Sequence, residues 1–292
     1  MQVFDTPEPI LATIELNVGH VRITAGDRTD TTVDVLPADH AEFRDLVTAA
    51  EAVVTCDGAE LLVSVPSAGD LPRSGGAVSV AIELPAGSAV YGKARAADFH
   101  GTGRLGECRI AVDCGHIRLD RTGSLHLDSL LGNVTVGRVS GDVEAVAESG
   151  DLRIGTVEGR TRLTRTQGVT HLGECVGDAH VSVRSGDVSI GRAHAAVGIR
   201  AEQADISVHE ALRGPLALQA ETGTLEIGIA DGVEARLDLL AGSGTVYRSL
   251  DLLGGTASPA DADKAIEVRA RTGTGDIVVR RAVLDADGEP PF

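Results

Sequence analysis

The sequence predicts an all-β fold: a single-stranded parallel β-solenoid with about 18 residues per coil, and a β-rich N-terminal cap containing one short helix. Three observations carry this expectation. Glycines recur at nine-residue intervals, the residues between them alternate apolar with polar, and aromatics make up only 2% of a chain that is 42% hydrophobic. A compact globule usually fills its irregular interior with aromatic rings. An interior of Val, Ile, Leu and Ala points instead to regular, repeated packing.

The repeat is clearest through "SGDLRIGTVEGRTRLTRTQG", residues 149–168. Gly132, Gly141, Gly150, Gly159, Gly168, Gly177 and Gly186 each follow the last by nine residues. The beat continues through Ala195 and Ala204, slips by one to Gly214, and resumes at Gly223 and Gly232. Upstream it reaches Gly123, Gly115 and Gly106. Two kinds of unit alternate, so the true period is 18. One kind reads "GDLRIG" (150–155) or "GDVSIG" (186–191); the other alternates through inward positions such as Ala179, Val181 and Val183. Strict alternation marks a half-buried strand, and a glycine at fixed offset marks a corner. One coil cannot bury its own apolar face, so stacked coils supply the core. Right-handed winding follows from the usual hand of parallel crossovers.

The ends depart from this beat. Residues 1–95 read as an acidic β-rich cap, with strand-like runs such as "ILATIELNVGHVRITAG" and "AVSVAIELPAG". A helix is expected near 39–51, where Asp39 as N-cap and Glu42 form a capping-box pattern ahead of Phe43, Leu46 and Val47. The solenoid is expected over 96–281, with an excursion near 248–265 and a last coil at 266–281. Residues 282–292, "AVLDADGEPPF", read as a flexible tail.

The net charge of −17 is uneven: residues 1–70 hold 13 Asp/Glu against 3 Arg, a local −10. No basic stripe exists for a nucleic acid, and arginines interrupt any continuous acidic face. No secretory signal follows Met1, and no apolar run approaches the roughly 18 residues of a membrane span. Cys56, Cys108, Cys114 and Cys175 show no CxxC spacing, and a reduced cytoplasm is the expected location.

Each trace of chemistry has a structural explanation. "GTGRLG" (101–106) fits a dinucleotide fingerprint as text, but strand-like alternation follows it where a helix is required. Asp142, Asp151, Asp178, Asp187 and Asp205 follow turn residues as in calcium-binding β-rolls, yet the paired glycines of such turns are missing. Aspartates so placed are expected to cap backbone N–H groups. Among the histidines, His171 and His180 should face different walls, and His116 and His126 stand alone in their columns. His209 displaces a corner glycine just before the one-residue slip, which a local bulge explains. Arg165 occupies an inward column between Ala147 and Val183 and is expected to reach solvent at a corner. No catalytic, cofactor-binding or metal-ligating residue is assigned, no cofactor is expected, and the binding residues are unknown.

The repeated "SGDLRIG…GRTRL", "RSGDVSIG" and "TGTGDIVVRR" resemble the bacterial β-strand-repeat family labelled "putative adhesin", a domain of unknown function. The opening "FDTPEPILATIELNVGHVRITAGDRTDTTVDVLPAD" and "VAIELPAGS" are similar to its actinobacterial members. The resemblance covers nearly the whole chain and implies a β-helix-like fold with no established catalytic or cofactor residues. The reading that follows is a non-catalytic cytoplasmic scaffold or protein-interaction module, with no nucleic acid or membrane partner. A protein partner or self-association is expected, including a homodimer through the C-terminal solenoid end. The alternatives are a surface adhesin exported without a recognisable signal and a carbohydrate-active β-helix enzyme. The second is disfavoured because no aromatic stacking platform lies between Phe99 and Tyr247.

Overall fold

The computed structural model describes residues 1–66, 75–250 and 265–282. The chain divides into two compact units, Met1–Gly150 and Asp151–Phe292.

The first unit opens with β1 (Gln2–Asp5), β2 (Leu11–Gly26), β3 (Asp30–Pro37), α1 (Phe43–Ala50), β4 (Val53–Asp57), β5 (Glu60–Ser64) and β6 (Val78–Pro85). It continues through β7 (Ala89–Arg104), β8 (Cys108–Cys114), β9 (Ile117–Thr122), β10 (Leu125–Leu131), β11 (Val134–Val139) and β12 (Val143–Ser149). Parallel pairing begins at β2, which runs through a whole coil. Along one edge it pairs with β7, from Leu11 opposite Ala89 to Thr24 opposite Thr102. Along the other, its first half pairs with β5 and its second with β6. Beyond β7 two walls are stacked, β8, β10 and β12 on one and β9 and β11 on the other, with partners 17 or 18 residues apart. The antiparallel elements lie between β2 and β7 or before them: β3 on β6, β1 on β3, and β4 on β5.

The interior is built as the alternation predicts. Its largest fully buried side chain is Phe99, on one wall of β7. The space for that ring is opened by Gly92 on the other wall, where a Cβ would lie 2.6 Å from Phe99 Cε1.

Helix α1 begins at Phe43, with Glu42 as N-cap and no side-chain cap bond. The expected capping box does not form: Asp39 Oδ1 accepts from the Ala41 N–H at 2.8 Å, inside the preceding turn, and so is not available to the helix.

The second unit holds β13 (Leu152–Val157), β14 (Thr161–Gln167), β15 (Thr170–Cys175), β16 (Ala179–Ser185), β17 (Val188–Ala193), β18 (Val197–Gln203) and β19 (Ile206–Ala211). It is completed by β20 (Leu216–Thr222), β21 (Leu225–Ile229), β22 (Ala235–Ser243), β23 (Val246–Ser249), β24 (Ile266–Thr274) and β25 (Ile277–Arg281). Odd and even strands form opposite walls through β21, in 18-residue steps such as Leu152, Thr170 and Val188. The expected bulge at His209 is present as a register shift between Val208 and Ala211. At the corner glycine Gly186, φ is +114°, and a Cβ would overlap the Gly168 carbonyl of the coil beside it.

The coil at 266–281 is last in sequence but not in space. β24 pairs with β20 on one side and β22 on the other; β25 likewise lies between β21 and β23. The chain therefore lays down β22 and β23 one layer out and returns to fill the gap. Arg248 supplies a reason. It stands in register with Val279, which is fully buried, as is Ile227 in the next layer. A guanidinium there could not be buried without a large desolvation cost; in the outermost layer Arg248 stays exposed. The excursion expected at 248–265 and the tail at 282–292 lie, apart from their described edge residues, outside the described residues.

Arg165 departs from expectation. It does not reach solvent: it is 4% exposed. The corner folds back over it, and its guanidinium donates to the carbonyl oxygens of Gln167 (3.1 Å) and Val169 (3.5 Å). Burial pulls its pKa down from the ordinary value.

Candidate functional site

The most built-up surface of the first unit is the outward face of the wall formed by β5, the first half of β2, the first half of β7, β8, β10 and β12. Because side chains alternate across a strand, one outward row reads Thr13, Tyr91, Arg109, His126, Glu144. The next reads Glu15, Lys93, Ala111, Asp128, Val146. Ala111, a methyl between longer neighbours, leaves a depression. A groove of about 660 Å³ opens there, reaching Asn17, Arg95 and Asp113. A second, of about 470 Å³, shares Glu15, Lys93, Ala111 and Asp128 and extends to Tyr91, His126 and Glu144.

Its electrostatics are mixed. The Arg109 guanidinium lies 5.3 Å from the Tyr91 ring centroid and is also held by Glu107 at 2.6 Å. That carboxylate raises the pKa of Arg109 further. His126 Nε2 is 3.9 Å from Glu144. Among the described residues, Lys93, Arg95, Glu15, Asp113 and Asp128 form no ion pair. The groove thus offers charges of both signs that no ion-pair partner among the described residues occupies, in a volume typical of ligand-sized clefts. Among the described residues it presents no nucleophile hydrogen-bonded to a base.

Four of the five turn aspartates are staples between coils. Asp151 accepts from the Val169 N–H (3.3 Å), Asp178 from Ala196 (3.2 Å), Asp187 from Asp205 (3.3 Å) and Asp205 from Thr224 (2.7 Å). Each satisfies a donor one coil away, the capping role expected of them. "GTGRLG" closes β7 and leads into β8, with no helix to receive a pyrophosphate. His171 and His180 do fall on opposite walls, on β15 and β16. His116 Nδ1 accepts from the Asn133 N–H at 3.1 Å. Among the described residues no three His, Cys, Asp or Glu side chains are grouped to hold a metal ion.

His209 leans across to Ser189, its Nε2 3.1 Å from the hydroxyl. Among the described residues no carboxylate binds its other nitrogen, so the pair lacks the orienting acid of a nucleophilic triad. Burial, with His209 and Arg153 nearby, pulls His171 below its ordinary pKa. Cys108 and Cys175 are buried, and desolvation pushes each thiol up to about 12. No helix among the described residues is long and apolar enough to cross a membrane.

Sequence reasoning did not single out Tyr91 or Lys93. Both precede residue 96, in a stretch whose turn spacing reads as cap, although β7 pairs there as a solenoid wall. The alternation of "AVYGKARAADF" was the available signal.

No curated protein shows significant similarity to the chain. Solved structures share little sequence with it. A "putative cell adhesion protein" from Clostridium sporogenes is 10% identical, covering 96% of this chain and 98% of that one, with a TM-score of 0.23. A "putative adhesin" from Bacteroides fragilis is 11% identical over 95% of each chain, with a TM-score of 0.34. Another from Parabacteroides distasonis is 12% identical over 95% of each chain, with a TM-score of 0.29. Scores this low carry no argument about role. The family match is of another order: the Toastrack DUF4097 model aligns with residues 12–280, from the second residue of β2 to the penultimate residue of β25, and the chain belongs to that family.

Proposed function

We propose that this chain is a non-catalytic β-solenoid scaffold, a protein-interaction module working in the cytoplasm. The observation that carries the reading is the wall groove around Ala111. It gathers uncommitted charges of both signs over several strands and holds no nucleophile–base pair, so it is suited to contact and not to bond-making. Self-association belongs to the same reading. The outermost layer, β22 and β23, leaves its outer edge unpaired among the described residues, with Leu237, Leu239 and Val246 only half-buried. Such an edge can template a second chain, and Arg248 beside it limits how completely two ends can stack.

The test is a cross-linked pull-down of the tagged protein from its own cells, read by quantitative mass spectrometry and repeated with Lys93→Glu and Asp128→Lys variants. A reproducible partner lost in those variants supports the module. Recovery of the protein alone, with a dimer in sedimentation analysis, supports the homotypic form. A monomer that captures nothing overturns both, and fractionation to the cell surface overturns the cytoplasmic placement.

A further inference from the structure

Helix α1 is oriented against the usual rule. Its apolar side chains fall at Phe43, Leu46, Val47 and Ala50, the i, i+3, i+4, i+7 stripe that normally faces a core. Here that stripe faces solvent: Phe43 is 75% exposed, Leu46 42% and Val47 38%. The buried residues of the helix are Asp45 and Thr48.

The orientation is fixed by hydrogen bonds. Asp45 Oδ1 accepts from the Ala77 N–H at 2.8 Å and Oδ2 from the Asp39 N–H at 3.0 Å. Thr48 Oγ1 accepts from the Gly76 N–H at 2.9 Å. Gly76 lies so close to the backbone of Arg44 and Asp45 that a Cβ there would overlap it. One buried donor, the Gly76 N–H, and two part-buried ones would lose their acceptors if the helix rolled to hide its stripe, the buried one alone at about 1–3 kcal/mol. The apolar face is held outward.

Exposed apolar surface built in this way marks an interaction site, and its rim selects the partner. Asp39, Glu42 and Glu51 are exposed around the stripe against one exposed cation of the helix, Arg44, and residues 1–70 carry a net −10. A second copy would bring the same acidic rim against itself. An anionic membrane is repelled by the same charges. We infer that α1 docks a basic amphipathic helix of another protein, which lays its apolar stripe against Phe43, Leu46 and Val47 and its lysines or arginines against the acidic rim. This surface is separate from the wall groove and does not depend on it.

The probes are two 18-residue helical peptides, one of leucine and lysine in an amphipathic pattern and one with glutamate in place of lysine, titrated against the full chain by fluorescence anisotropy. The leucine/lysine peptide is expected to bind and the leucine/glutamate peptide not to. The Phe43→Ser/Leu46→Ser double variant, which changes only exposed side chains and should melt like the parent, is expected to weaken binding at least tenfold. Leu240→Ser, at an exposed leucine of the second unit, is expected to leave binding unchanged. Equal affinity of parent and double variant would show attraction by net charge alone and overturn the inference. So would no binding, binding of the acidic peptide, or a dimerisation or anionic-vesicle association abolished by the double variant.

Discussion

Replacing Thr170 by valine should stabilise the protein. Thr170 is fully buried on β15, in register with Leu152 and Val188, and its hydroxyl has no hydrogen-bond partner among the described residues. Burying an unpaired hydroxyl costs about 1–3 kcal/mol by protein mutational measures. Valine has nearly the same shape and the same preference for strands, so the substitution removes the polar atom without opening a cavity. The expected gain is about 1–2 kcal/mol, which for a cooperative unit of this size raises the melting temperature by about 2–8 °C. Thr161, also fully buried and unpartnered, stands in register with Ala179 and should respond in the same direction. Thermal and urea melts of the two single variants and the double variant are the assay, the two denaturants guarding against a change in cooperativity. A destabilised Thr170→Val variant would refute the reasoning, because it would mean that the hydroxyl is paired, for instance through a buried water.

Gly92→Ala should destabilise by about 1–3 kcal/mol through its clash with Phe99, and adding Phe99→Leu should recover part of the loss; urea denaturation of the single and double variants decides this. His171 has its pKa lowered by burial, with His209 and Arg153 adding to it, so the unfolded chain binds its proton more readily than the native one. The resulting penalty is absent above the ordinary value of 6.5 and grows as pH falls from there through the folded-state pKa, so a His171→Gln variant should lose less stability between pH 7 and 5 than the parent. Iodoacetamide at pH 8 should modify exposed Cys114 and spare Cys108 and Cys175, whose thiols are buried and held near 12; mass spectrometry before and after denaturation reads the difference.

How far the sequence discloses this molecule depends on whether a feature repeats. The walls were legible because every coil solves the same problem. An apolar residue is needed at each inward position and a glycine wherever one backbone passes close over another, as at Gly186. The turn aspartates Asp151, Asp178, Asp187 and Asp205 were legible for the same reason, since each staples the next coil. Features set by a single contact were not. Arg165 donates to two carbonyl oxygens of its own corner, which no periodicity announces. Helix α1 was readable as a helix, but its rotation was not. The stripe at Phe43, Leu46 and Val47 predicts burial, and only the acceptors supplied by Asp45 and Thr48 reverse it.

The order of the last two coils shows the limit most sharply. "LDLLAGSGTVYRS" (237–249) and "VRARTGTGDIVVR" (268–280) align residue for residue, and pattern alone would stack them in chain order. One position breaks the tie. In the second repeat Val279 can lie against Ile227; in the first the equivalent residue is Arg248. Chain-order stacking would enclose that guanidinium between two apolar layers, whereas intercalation buries Val279 and leaves Arg248 at the rim. The exchange requires the chain to travel one layer out and return, a loop-closure cost that grows only slowly with length. A desolvation penalty of several kcal/mol outweighs it. A single charged residue in an otherwise degenerate repeat is thus enough to reorder its layers.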